Sequence, residues 1–332
     1  MQSMDRKIIL SGMRPTGKLH LGHLVGTLDN WMVLQGEYEC FFMVADWHAL
    51  MGEYEHPEKL AGFAIDNVID WLSVGIDPDK SNIFIQSEIP AHLELSMVFS
   101  CLTPLGWLER CPTYKDQLRE IKTRDLSTYA FLGYPVLQAA DILLYKAESV
   151  PVGEDQLPHV ELTREIGRRF NSMYKKEIFP DPKALLTPTP RLPGLDGRKM
   201  SKSYNNTINI SDSPEEIMDK VRMMITDPQR IKLSDPGHPD VCTVFSYYSS
   251  FIPSLESAAR DWCENAGIGC TECKKRLAAG LIEKLSPFHA RREDLLKDPS
   301  TIRKILDRGR ERASAVASAT MAEVKKTMGI SV

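Results

Sequence analysis

Ile8-Ile9-Leu10-Ser11-Gly12-Met13-Arg14-Pro15-Thr16-Gly17-Lys18-Leu19-His20-Leu21-Gly22-His23 changes character along its length, and that change sets the fold. Ile8, Ile9 and Leu10 are apolar and largely β-branched and read as a buried strand, which Ser11 to Gly17 breaks with two glycines and a proline. A helix follows, because Leu24, Leu28, Trp31, Met32 and Gln35 recur at three- and four-residue spacing. His20-Leu21-Gly22-His23 therefore falls in the loop and first turn of that helix, where free backbone N–H groups and the positive end of the dipole favour a phosphate. Two imidazoles one turn apart add donors, and Gly22 lets a nucleotide approach the backbone closely. Taken alone, the pair reads better as two surface histidines.

The same alternation continues outward. Strand-like runs at Lys7–Ser11, Cys40–Ala45 and Asn82–Gln86 are separated by helical patterns at Leu21–Gln35, Pro57–Val74 and Ala91–Ser100. This is the pattern of an α/β chain with a Rossmann-like parallel sheet, helices on both faces and ligands at the carboxyl ends of the strands. From Leu105 to Phe131 the chain is charged and broken, which suggests an insertion over the site. After Ser211 it turns helical: Ser213-Pro214-Glu215-Glu216 offers a capping serine, a first-position proline and two early acids. Asp298-Pro299-Ser300 opens a last helix whose apolar face is Ile302, Ile305, Leu306, Ala313, Val316, Ala317, Met321 and Val324. Residues 1–210 are expected to form the catalytic domain and residues 211–332 a smaller C-terminal helical domain.

A second motif, Lys199-Met200-Ser201-Lys202-Ser203, follows Gly194-Leu195-Asp196-Gly197. Lysines on such a segment can swing toward charge that develops on a leaving phosphate. In this order, on either side of an α/β pattern, the two motifs point to the phosphates of ATP.

Here the chain resembles the class I aminoacyl-tRNA synthetases, whose two signature motifs these match. Tyr134-Pro135-Val136-Leu137-Gln138-Ala139-Ala140-Asp141-Ile142-Leu143-Leu144-Tyr145, Val150-Pro151-Val152-Gly153-Glu154-Asp155-Gln156 and His159-Val160-Glu161-Leu162-Thr163-Arg164 narrow the resemblance to the tryptophanyl-tRNA synthetases. It implies activation of L-tryptophan by ATP and transfer to tRNA(Trp), with the helical domain reading the anticodon and the enzyme working as a homodimer. His20, Gly22 and His23 would line the phosphate site, with Arg14, Pro15 and Thr16 in the loop before them. Lys199 and Lys202, in the loop with Met200, Ser201 and Ser203, would stabilise pyrophosphate. Gly153, Glu154 and Asp155 would hold the ribose, and Mg²⁺ would bridge the phosphate oxygens.

For the side chain, the family's tryptophan-reading aspartate maps onto Asp141, a carboxylate being a good acceptor for the single indole N–H. Tyr134 and Gln156 would hold the amino and carboxylate groups, and His48 follows a strand where the family also places pocket residues. Gln138 departs from the commonest bacterial tryptophan pattern, which has methionine there. Tyr134-x3-Gln138-x2-Asp141 is the tyrosyl-tRNA synthetase arrangement, so tyrosine stands as an alternative substrate. A non-tRNA adenylyltransferase of the same fold and a non-catalytic binding paralogue are further alternatives.

With 332 residues and 42% hydrophobic content the chain can bury a sizeable core. It has no apolar run of the roughly 20 residues a membrane span needs. Met1 to Lys7 lacks the apolar stretch of a secretory signal, so a cytoplasmic protein is expected. A formal net charge of -4 means that RNA must be met by local basic patches. Lys274-Lys275-Arg276, Arg291-Arg292, and Arg303, Lys304, Arg308, Arg310 and Arg312 supply them.

Of seven cysteines, Cys242, Cys263, Cys270 and Cys273 crowd into the helical region as Cys-x20-Cys-x6-Cys-x2-Cys. In a cytoplasmic protein of this size such a set points to a metal or an iron–sulfur cluster rather than disulfides. A subset of bacterial tryptophanyl-tRNA synthetases is similar and carries a [4Fe–4S] cluster near the anticodon-reading surface, with a slightly longer first spacing. Zinc, or four ordinary thiols, are the alternatives.

Overall fold

The structure is a computed structural model that describes residues 6–112, 114–115, 125–186 and 192–330. The expected insertion is therefore only partly described, residues 113 and 116–124 lying outside. The chain clusters into two compact units: residues 1–16, 31–188 and 298–332 in one, and residues 17–30 and 189–297 in the other.

The first unit is built on a five-stranded parallel sheet of order β3-β2-β1-β4-β5, with β1 Ile8–Met13, β2 Glu39–Val44, β3 Ser81–Ile85, β4 Ser149–Val152 and β5 Lys183–Leu186. Ile9, Cys40, Phe41, Phe42, Phe84 and Val150 are buried, as strands covered on both faces require. Strand order reverses between β1 and β4, which makes their carboxyl ends the expected ligand crevice. Candidate residues follow at these ends: Arg14 after β1, His48 beyond β2, Gln86 directly after β3 and Gly153 after β4. The helix Tyr129–Leu144 lies in the core, opened by Thr128, whose hydroxyl accepts from the Phe131 N–H at 3.2 Å. The α/β fold class is as expected.

The units divide the chain elsewhere than at the expected boundary after Ile210. The terminal helix Pro299–Met328, expected with the helical domain, belongs to the sheet unit. The cause is local: a Cβ at Gly309 would stand 1.8 Å from the Ile83 carbonyl oxygen, so glycine there lets the helix close onto β3. Its apolar face is the expected one, with Ile302, Leu306, Ala313, Ala317, Met321 and Val324 buried. Its charged face is partly occupied: Arg308 pairs with Asp79 at 2.7 Å, Arg303 with Glu88 at 3.2 Å and Lys325 with Glu94 at 3.0 Å. Glu323 accepts from Lys146 at 2.7 Å.

In the second unit the helices Pro214–Met223, Thr243–Phe251, Pro253–Glu264 and Cys270–Lys297 follow the signature loop. Ser213 is the expected capping serine and forms a reciprocal cap with Glu216, the hydroxyl accepting from the Glu216 N–H at 3.2 Å and the Glu216 carboxylate accepting from the Ser213 N–H at 2.7 Å. The His20 segment is stitched to residues 208–210, Leu21 N–H donating to Ile208 O and Ile210 N–H to Leu19 O, each at 2.9 Å. No described helix is long and apolar enough to cross a membrane.

Candidate active site

His20 and His23 stand in contact, their ring centroids 3.8 Å apart at the start of the helical turn Leu21–His23. The helix passes into a π-turn at Leu24–Leu28, a distortion often found at functional sites. The His20 backbone N–H donates to Nδ1 of His23 at 3.1 Å. His23 Nδ1 is thus an acceptor and its proton sits on Nε2. Burial, with the nearby Lys202 charge, brings His20 down to about 4, and burial, with the charges of His20 and Lys202, holds His23 well below the ordinary histidine value. Both rings are neutral at physiological pH, each with one N–H to give. Nδ1 of His20 is buried with no hydrogen-bond partner among the described residues. A Cβ at Gly22 would come within 3.0 Å of that ring, so a larger residue would push on His20.

The second motif meets the first within the same unit. Lys202 Nζ donates to Gly17 O at 2.9 Å, and Gly17 has φ +128°, a backbone that favours glycine. Met200 is buried with its sulfur 3.7 Å from the Cβ position of Gly22. Lys199 pairs with Pro193 in an isolated antiparallel bridge, so its backbone is tied down. Ser201 precedes the short 3-10 turn Lys202–Tyr204, in which Ser203 lies. His20, Gly22, His23, Met200 and Lys202 are therefore one constellation.

The residues expected to meet the amino acid lie in the sheet unit. Asp141 is 2% exposed, and its carboxylate is met by three side chains: Gln86 Nε2 at 2.8 Å and His92 Nδ1 at 2.7 Å on Oδ1, and His48 Nε2 at 2.8 Å on Oδ2. A carboxylate can only accept, so both imidazoles present N–H to it. Burial alone would raise its pKa, but the hydrogen bonds from His48 and His92 outweigh burial and hold it below the ordinary value. Tyr145, kept protonated by burial, donates to Nε2 of His92 at 2.9 Å. Three neighbours for roughly four lone-pair positions leave acceptor capacity on an ionised carboxylate.

Tyr134, Gln138 and Asp141 share one face of the helix Tyr129–Leu144 at i, i+4 and i+7. The Tyr134 hydroxyl is 2.7 Å from Nε2 of His159, whose Nδ1 is 3.6 Å from Cys111 Sγ. Burial lowers His159 to about 4. Gln156 is half-buried and donates to Asp155 at 2.9 Å in the 3-10 turn Glu154–Gln156, where Glu154 and Asp155 are exposed. Arg14 and Thr16 are joined by a backbone bond of 2.9 Å in the loop after β1, with Pro15 between them. Sequence reasoning missed Gln86, His92 and Tyr145. The signal was present for Gln86, which directly follows β3 at the edge where a parallel sheet binds ligands.

Cys242, Cys263, Cys270 and Cys273 line one small pocket with Thr226, Arg230, Val244, Trp262 and Ile268. Arg230 reaches it with Nη1 4.0 Å from Cys270 Sγ, while its Nη2 donates to Ile268 O at 2.9 Å. A Cβ at Gly237 would stand 2.5 Å from Cys263 Sγ. Burial pushes the Cys273 thiol up to about 11, with the neighbouring thiols adding to it. Among the described residues, no three His, Cys, Asp or Glu side chains are gathered as they would be around one metal ion.

The pattern of the family described as tRNA synthetases class I (W and Y) matches residues 2–286. The tryptophan–tRNA ligase of Thermotoga maritima is 51% identical over 97% of this chain and 99% of that protein. That of Aquifex aeolicus is 43% identical over 97% and 99%. Tryptophanyl-tRNA synthetase from Campylobacter jejuni, solved with ADP and tryptophan, superposes with a TM-score of 0.89 at 33% identity, covering 97% of this chain and 99% of that one. A tyrosyl-tRNA synthetase from Archaeoglobus fulgidus, with a TM-score of 0.66 over 86% of this chain and 90% of that one, is 22% identical and shares the fold alone. The near-full-length tryptophan–tRNA ligase relatives favour tryptophan over the tyrosine alternative raised by Gln138. The chain belongs to the class I tryptophanyl-tRNA synthetases, ligases that use ATP to join tryptophan to its tRNA.

Proposed function

We propose that the two constellations divide the reaction between them. The tryptophan carboxylate attacks the α-phosphate of ATP and pyrophosphate leaves, a step that asks the protein for positioning and charge stabilisation rather than a nucleophile. His20 and His23 give neutral N–H donors to the phosphates, and Lys202 with Lys199 answers the charge that builds on the leaving pyrophosphate. Gly22 and the Met200–Ser203 stretch shape that site. Mg²⁺ arrives with ATP, held by its phosphate oxygens and water. Asp141, oriented by His48, Gln86 and His92, accepts the indole N–H. Tyr134 and Gln156 hold the α-amino and carboxylate groups, Gln138 borders the side chain, and Arg14, Pro15, Thr16, Gly153, Glu154 and Asp155 serve the nucleotide.

The observation that carries this reading is the reach of Lys202 Nζ to Gly17 O at 2.9 Å, in the loop that leads into His20. Pyrophosphate exchange tests it: exchange dependent on tryptophan supports the assignment, exchange driven by another acid points to a different adenylyltransferase, and none to a binding paralogue.

The four cysteines are proposed to hold a [4Fe–4S] cluster. The donor set fits, since four thiols line one pocket beside a guanidinium. Cys242, Cys263, Cys270 and Cys273 would hold the cluster, four cysteine thiolates being its usual ligand set. When bound, the cluster would be a structural centre for the lobe that reads the anticodon of tRNA(Trp), with Lys274, Lys275, Arg276, Arg291 and Arg292 offering charge to RNA. Family membership supports a homodimer, which sedimentation at micromolar concentration would test.

A further inference from the structure

We infer that Asn206 is the positioning residue of the lysine loop, setting the conformation from which Lys202 acts. This rests on the phosphate role proposed for Lys202. Asn206 lies outside both signature motifs and is 3% exposed. Its side chain is fully used: Oδ1 accepts from the Ser201 N–H at 2.9 Å, and Nδ2 donates to Asp196 Oδ1 at 2.7 Å and to Lys199 O at 3.2 Å. Its own carbonyl accepts from the Leu195 N–H at 2.9 Å.

The amide therefore grips the backbone on both sides of Met200. With Lys199 C=O and Ser201 N–H fixed, the torsions of Met200 are fixed too, and the methionine turns onto Gly22. Two residues on, Lys202 Nζ arrives at Gly17 O. A second observation points the same way: a Cβ at Gly194 would meet Asn206 Nδ2 at 2.2 Å and Cγ at 2.3 Å, so the preceding turn is built to admit this side chain. Asp196 completes the arrangement. The Asn206 hydrogen bond is the first cause of its lowered pKa, and Arg198 closes on its other oxygen at 2.7 Å. The loop is thus delivered in one conformation, with the entropy of ordering it already spent.

Asn206→Ala should slow single-turnover adenylate formation by about 10²-fold, the scale of misplacing a group that must meet the transition state. Tryptophan affinity should stay unchanged. Asp196→Ala, at a half-exposed site, should share the defect in smaller measure. If Asn206→Ala fails to fold, Asn206→Asp keeps the shape and the acceptor for Ser201 while losing both donated bonds, and should show the kinetic loss. In a Lys202→Ala background, Asn206→Ala should cost little more, because both act through one ammonium. Full additivity, or a wild-type rate for Asn206→Ala and Asn206→Asp beside a slow Lys202→Ala, would overturn the role of Asn206 alone. A Lys202→Ala enzyme as fast as the wild type would overturn the phosphate reading and this role with it.

Discussion

The His20 N–H donates to Nδ1 of His23 at 3.1 Å, a bond that a protonated His23 could not accept. Neutrality of the pair is thus part of the fold. His20 and, in the sheet unit, His159 are both lowered to about 4. Between that value and the unfolded 6.5 the unfolded chain binds protons that the folded chain refuses, so stability is complete above about 6.5, falls as pH drops and levels off below about 4. Each histidine accounts for about 3 kcal/mol at the acid end.

The expected result is a lower urea midpoint at about pH 5 than at about pH 7.5, with proton uptake on unfolding between them. His20→Gln should remove about one proton of that uptake. The same pH slope in the variant would show that His20 titrates alike in both states.

His23→Ala and Lys202→Ala should each slow adenylate formation by about 10²–10³-fold, the usual cost of one donor aimed at developing charge. Thermal midpoints should move little for Lys202→Ala, whose Nζ donates to the backbone oxygen of Gly17. Stopped-flow rates near wild type for both would remove the phosphate assignment.

Asp141→Asn should weaken tryptophan binding and leave ATP binding alone. Three donors converge on the carboxylate. An amide brings its own N–H₂ to one of those positions, leaving a buried donor unpaired at about 1–3 kcal/mol. Equilibrium dialysis with labelled tryptophan measures it, and an unchanged dissociation constant would sink the pocket assignment.

The strands and the helix start at His20 were legible because local chemistry alone places them: β-branched runs, a glycine-proline break, histidines at a helix start. Asp141 was legible only through the motif around it, since nothing local marks an aspartate in Ala140-Asp141-Ile142 as a hub rather than a helix-surface acid. Its partners His92 and Gln86 come from distant segments, and only the sheet order brings them together. The terminal helix was legible as a helix, with its buried face, yet its place was not. A single glycine against a distant carbonyl decides that, and no periodicity encodes it.

Gly309→Val should therefore be among the most destabilising single substitutions, because the added carbons would enter the Ile83 backbone. Overpacking costs about 1–3 kcal/mol where side chains can yield, and backbone yields less. A thermal midpoint within error of wild type would mean that the helix does not close on β3.

Cys263→Ser separates the cluster from the chemistry. Cys263 lines the four-thiol pocket, with Gly237 packed against its sulfur. If the set holds [4Fe–4S], anaerobically purified protein should be brown and contain roughly four irons per chain, and the serine variant should lose most of that iron. Tryptophan-dependent pyrophosphate exchange should survive, since the His20 N–H is bonded to His23 and Lys202 Nζ to Gly17 O rather than to the cysteines, while charging of tRNA should weaken. Loss of exchange and charging together would tie the cysteines to the fold of the whole unit. Colourless wild-type protein with one tightly bound zinc would replace the cluster with a single ion, and metal-free protein with four alkylatable thiols would leave the cysteines without a metal role.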